Sequence, residues 1–156
     1  MPLTLIHRAK APGGAASPGP AVVMVHGWLG NETVMSIFDR LVPPQVVVVS
    51  PRAPLEIAPE SFGWFRHLGD AAGFAAGLAD LRAFVAGLPD AYPVDPAQVV
   101  LVGFSQGGAM SLGLALSSPA LVKGVACLAG FVPAQSAGWL PPAATEAAVK
   151  PVTLTG

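Results

Sequence analysis

Charge is scarce in this chain. Asp, Glu, Lys and Arg make up 11% of its 156 residues, against about 25% in an ordinary soluble domain. Hydrophobic residues reach 53%, so much of the chain must be enclosed. The net charge is −1 with no basic stripe, which argues against nucleic acid as a partner. Cysteine occurs once, at Cys127. An internal disulfide is excluded, no oxidising compartment is called for, and the cytoplasm is the expected location. Within "VKGVACLAGF" this cysteine reads as a small residue of a buried strand. The histidines His7, His26 and His67 are scattered and offer no metal-ligand spacing. No G-x-G-x-x-G or G-K-[ST] occurs to cradle a nucleotide, so neither metal nor cofactor is expected. The start "MPLTLIHRAK" lacks the apolar segment of a secretory signal. Pro96–Val122 is uncharged and long enough to cross a bilayer, which takes roughly 20 residues. Its serines and glycines, and the change from a Val-rich to an Ala/Leu-rich half, instead predict two separate elements and no membrane span.

What is abundant is short apolar runs separated by glycine and proline. Residues 21–27, 45–51, 98–104 and 122–131 are Val-rich runs that read as strands buried on both faces, with 151–156 a weaker one. An edge strand is expected near Leu3–Ile6. Between these runs, helical spacing predicts a helix from Asn31 or Glu32 to Arg40. A longer one covers Asp70–Leu88, with Phe74, Leu78, Leu81, Phe84, Val85 and Leu88 on one stripe, and a third covers Gln106–Leu116. Residues 11–20, 51–69 and 130–149 read as loops. The alternation predicts one α/β domain over residues 1–156, a mostly parallel sheet with right-handed crossovers and helices on both faces.

The stretch "LVGFSQGGAM" (101–110) joins a predicted strand to a predicted helix. Gly103-Phe104-Ser105-Gln106-Gly107 matches G-x-S-x-G. In that pattern a serine sits on a turn so tight that side chains two residues before and after it would collide. The turn would thrust the Ser105 hydroxyl out at the carboxyl end of the strand, where ligands bind in open α/β sheets. Gly107 and Gly108 let the following helix pack close to the sheet. The plain alternative is a small polar residue in an apolar helix. Acyl transfer also needs two N–H donors aimed at the developing oxyanion. Gln106, directly after the serine, would give one. Trp28, just past the His26-Gly27 turn that ends the first core strand, would give the other. His26 is expected to be a structural imidazole that bonds the loop backbone.

"VHGWLGNE" with "GFSQGGAM" resembles the phospholipase/carboxylesterase family of α/β-hydrolases, which includes acyl-protein thioesterases and small carboxylesterases. "VVSPRAP", "GWF" and "PVDPAQVVLVGFSQGG" extend the resemblance over nearly the whole chain from about residue 20 on. It implies cofactor-free hydrolysis of a small ester or thioester by Ser105, with Trp64 and Phe65 lining the acyl or alcohol pocket. Arg66-His67 departs from the family, in which an acidic or small polar residue often follows Trp-Phe.

The resemblance also implies an Asp or Glu and then a His after the serine. No histidine and no aspartate follow Ser105, and Glu146 is the only later acid. The family carries its Asp in a loop after a strand like "PVTLTG". The expectation is therefore an N-terminal part of a hydrolase domain, with an open sheet edge suited to a second copy or a completing chain. The alternative is a non-catalytic remnant that binds acyl groups or a partner. His67 is a poor substitute base, being out of chain order and without an evident acid partner.

Overall fold

The computed structural model describes residues 3–13 and 17–132. Among the described residues there are seven strands: β1 His7–Lys10, β2 Gly19–Val25, β3 Val47–Pro51, β4 Leu55–Ala58, β5 Ser61–Gly63, β6 Val94–Phe104 and β7 Gly124–Leu128. Three α-helices, α1 Ala71–Ala86, α2 Leu88–Ala91 and α3 Gln106–Ser117, are joined by 3-10 helices at Val34–Leu41 and Pro119–Leu121.

The main sheet has the order β1-β3-β2-β6-β7. β3, β2, β6 and β7 run parallel, and β1 pairs antiparallel with β3. All residues of β3 are buried, as a strand enclosed on both sides requires. Because the core strands are parallel, Val25, Pro51, Phe104 and Leu128 end at one edge. The chain segments that leave them therefore meet there.

One sheet face, carrying Val23, Val25, Val47, Val49, Val99 and Leu101, packs against the α1 stripe of Phe74, Leu78, Leu81, Phe84 and Val85 and against Met110 and Leu114 of α3. The other face carries Met24 and Val48 with Val22 and Val102 against Met35 and Phe38 of the first 3-10 helix. The predicted α1 begins where Asp70 caps it, its carboxylate accepting from Gly73 N–H at 2.9 Å. It stops at Gly87, and Pro89 fits the first turn of α2.

Several boundaries differ from the sequence reading. The expected helix from residue 31 or 32 is a 3-10 helix that starts at Val34. Asn31 Oδ1 accepts from both the N–H and the hydroxyl of Thr33, at 2.9 and 2.7 Å, and this local turn competes with a helical start. The edge strand lies at His7–Lys10, because Leu5 turns into the core instead. β6 begins four residues early, at Val94. Its register shifts between the Gly19–Val94 and Ala21–Val99 pairs, which leaves Pro96 outside the ladder. The long loop 51–69 contains the β4–β5 hairpin. Cys127 is exposed rather than buried, since β7 is the outermost strand of the described sheet. The uncharged Pro96–Val122 stretch divides between β6 and α3, and no helix among the described residues is long and apolar enough to cross a membrane. The strand expected at 151–156 and most of the loop 130–149 lie outside the described residues.

Candidate active site

Ser105 lies between β6 and α3 with φ 52° and ψ −115°, a strained conformation for a residue with a side chain. The strain is held by the neighbours. Ser105 N–H donates to the Leu128 carbonyl at 2.8 Å, and its own carbonyl accepts from Gly108 N–H at 2.9 Å. Glycine is required on both sides by close approach. A methyl group at Gly103 would run into the Gly107 carbonyl, and one at Gly107 into the Val25 carbonyl. Gly108 lies close to Cys127 and Gly130. The Ser105 side chain makes no capping bond to its helix, and Gln106 N–H belongs to the first turn, where no intrahelical acceptor exists.

Trp28, Phe65, Arg66, His67, Leu68, Ser105, Gln106 and Phe131 line a pocket of about 260 Å³ at this sheet edge. The structure thus brings Ser105, Gln106, Trp28 and Phe65 together. Trp64 is placed differently from the expectation that it lines the pocket. It is fully buried behind it, with its indole N–H donating to the His26 carbonyl at 3.0 Å.

His26 is buried. Its Nε2 accepts from Ala53 N–H at 3.0 Å, so Nδ1 carries the proton and donates to the Gly27 carbonyl at 2.7 Å. Burial depresses its pKa below the ordinary imidazole value, outweighing the bond to Gly27. A neutral ring therefore ties the loop after β2 to the start of the loop after β3. A bidentate ion pair of Arg52 with Glu32, both contacts at 2.6 Å, ties them again. The Arg52 hydrogen bonds hold the Glu32 carboxyl below its usual pKa. Phe62 N–H donates to the Gly30 carbonyl at 2.8 Å, a third tie. The loop bearing Trp28 is thereby fixed, with Leu29 in the left-handed region at φ 61°.

Sequence reasoning credited Gln106 with its backbone N–H alone. Its buried side chain accepts from Trp64 N–H at 2.7 Å and donates to the Phe65 carbonyl at 2.8 Å. This amide clamps the Trp64-Phe65 segment to the serine turn. A glutamine at a position that packs against the sheet was the available signal, since a buried amide needs partners. His67, set aside as a base on chain order, does line the Ser105 pocket.

The sequence profile of the alpha/beta hydrolase family matches residues 22–154. Among solved structures, the chain is similar to the esterase PE8, with 27% identity and a TM-score of 0.70 over 83% of this chain and 66% of that one. It is similar to the Bacillus cereus carboxylesterase, with 21% identity and a TM-score of 0.68 over 78% of this chain and 58% of that one. A phospholipase/carboxylesterase from Dyadobacter fermentans matches with 18% identity and a TM-score of 0.65 over 81% and 60%. The chain belongs to the alpha/beta hydrolase family. It spans 58–66% of the length of these three structures.

Proposed function

We propose that this chain carries the nucleophile and oxyanion hole of a serine ester hydrolase acting on carboxylic esters or thioesters, of the carboxylesterase, lysophospholipase or acyl-protein thioesterase type. The observation that carries the reading is Ser105 at φ 52° between strand and helix, open to a pocket it shares with Trp28 and Gln106. Ser105 Oγ attacks the acyl carbonyl and its proton passes to a base. The backbone N–H groups of Gln106 and Trp28 stabilise the oxyanion. Collapse breaks the bond to the alcohol or thiol, which leaves with the proton. Water then cleaves the acyl-serine ester, releasing the acid and restoring the hydroxyl. Phe65 gives the pocket an apolar wall, and Trp64 supports that wall from behind. The cytoplasm is the proposed place of work.

The base and its acid are assigned to polypeptide outside this sequence, because no histidine follows Ser105 and the matched structures are longer. The further polypeptide of the same protein, or a second chain at the β7 edge, would bring them. The test is hydrolysis of a nitrophenyl butyrate by the 156-residue chain and by Ser105→Ala. A slow Ser105-dependent rate is expected. Active sites lacking a triad member keep about 10³–10⁴-fold over water. Equal rates in both proteins would overturn catalysis by this chain and favour a binding module. His67→Ala should leave the rate unchanged. A drop with that variant would make His67 the base.

A further inference from the structure

Arg66 and His67 both line the Ser105 pocket, and both side chains are exposed. Their backbone is anchored on each side. The Phe65 carbonyl accepts from Gln106 Nε2 at 2.8 Å, and Arg66 N–H donates to Asp70 Oδ2 at 2.9 Å. The His67 carbonyl accepts from Asp70 N–H at 2.9 Å. Two cation-forming side chains are therefore carried on a fixed turn at the mouth of the pocket.

Among the described residues, neither has a carboxylate within ion-pair distance. Among the described residues, Arg8 and Arg52 have carboxylate partners, whereas no carboxylate lies within 4.0 Å of the Arg66 guanidinium. Asp70 is the acid whose field reaches both Arg66 and His67. Its two oxygens are taken by the backbone N–H groups of Arg66 and Gly73. Among the described residues, the rest of the lining is Trp28, Phe65, Leu68, Ser105, Gln106 and Phe131, with no acid. The pocket thus has apolar walls and a cationic rim. Apolar walls reduce screening of such a charge, and the guanidinium fork fits a carboxylate or a phosphate through two parallel hydrogen bonds.

We propose that this pocket takes esters bearing an anionic group, a carboxylate or a phosphate, close to the scissile carbonyl, and that Arg66 is the residue that selects them. The identity of the bond that breaks rests on the function proposed above. The charge preference of the pocket is independent of turnover.

The test uses Ser105→Ala, so that no ester is consumed. Monomethyl glutarate is titrated against dimethyl glutarate, and 2-acetoxyethyl phosphate against 2-acetoxyethanol, by ligand-observed NMR at low and high salt. The anionic member of a pair is expected to bind roughly fivefold tighter, the worth of one partly exposed ion pair. Added salt should weaken the preference. Arg66→Ala should abolish it and Arg66→Glu reverse it, while His67→Ala should reduce it less. The order of the two anionic esters tells whether the rim favours carboxylate or phosphate. Equal binding of charged and neutral members, no binding of either, or an unchanged preference in Arg66→Glu would overturn the proposal. Failure of the hydrolase reading is seen elsewhere, as the absence of Ser105-dependent hydrolysis of the neutral nitrophenyl ester.

Discussion

The two faces of the sheet are built to different degrees. On the face covered by α1 and α3, Leu81, Phe84, Met110 and Leu114 have no solvent exposure. On the face covered by the 3-10 helix, Ile37 is 67% and Leu41 72% exposed, and Phe104, the residue before Ser105, is 46% exposed. A cavity of about 340 Å³ lined by Trp28, Val34, Ile37, Phe38 and Phe104 opens on that side. Ser105 stands where the two faces meet. The packed face fixes its backbone, and the open face leaves apolar surface next to it.

The largest expected effect comes from breaking the packed face. Phe84→Ala removes a fully buried ring and should cost about 3–5 kcal/mol, read by urea denaturation. Next is the clamp between the faces. Gln106→Leu leaves the buried Trp64 N–H and Phe65 carbonyl without partners. At about 1–3 kcal/mol for each orphaned group, the loss should be about 2–6 kcal/mol. Gln106→Glu should be no milder at neutral pH: it keeps the acceptor for Trp64 N–H but sets a buried carboxylate against the Phe65 carbonyl. A Leu variant as stable as the parent would show that the amide holds nothing.

His26 gives a smaller effect with a definite sign. Its folded pKa is depressed by burial, so the unfolded chain takes up a proton first as pH falls. Its contribution is constant above about pH 6.5, the free imidazole range, and is lost below that, down to the folded pKa. The slope is at most about 1.4 kcal/mol per pH unit. Denaturation midpoints at pH 7.5 and pH 5.5 measure it. The slope should flatten in His26→Asn, whereas acid loss of the Glu32–Arg52 pair belongs to the lower carboxylate range because the Glu32 pKa is also depressed.

The packed face was the legible one. Its strands are Val-rich, and the α1 stripe repeats at helical spacing, so periodicity alone located Phe74 through Leu88. The serine turn was legible because Gly103 and Gly107 stand where a methyl group would strike backbone. The Gln106 side chain, the burial of Trp64 and the position of His67 were not. Each depends on how the loop 51–69 folds back over α3, and its β4–β5 hairpin is set by contacts such as Gly30 with Phe62 that span more than thirty residues. Cys127 lies exposed on the outermost strand of the described sheet, a position that local composition does not reveal.

The smallest stability effect should come from the open face. Ile37→Ser removes a side chain that is already mostly in water, so unfolding should shift by no more than about 0.5 kcal/mol. Its effect should appear in association instead. Val34, Ile37 and Phe104 are exposed and line one apolar cavity, surface of the kind that drives self-association. Sedimentation of the parent and of Ile37→Ser at matched concentration separates the two contributions. Less association with unchanged stability means that the face is open in solution as it is in the structure. A stability loss near that of a core truncation would mean that Ile37 is covered in solution, and the contrast between the two faces would disappear.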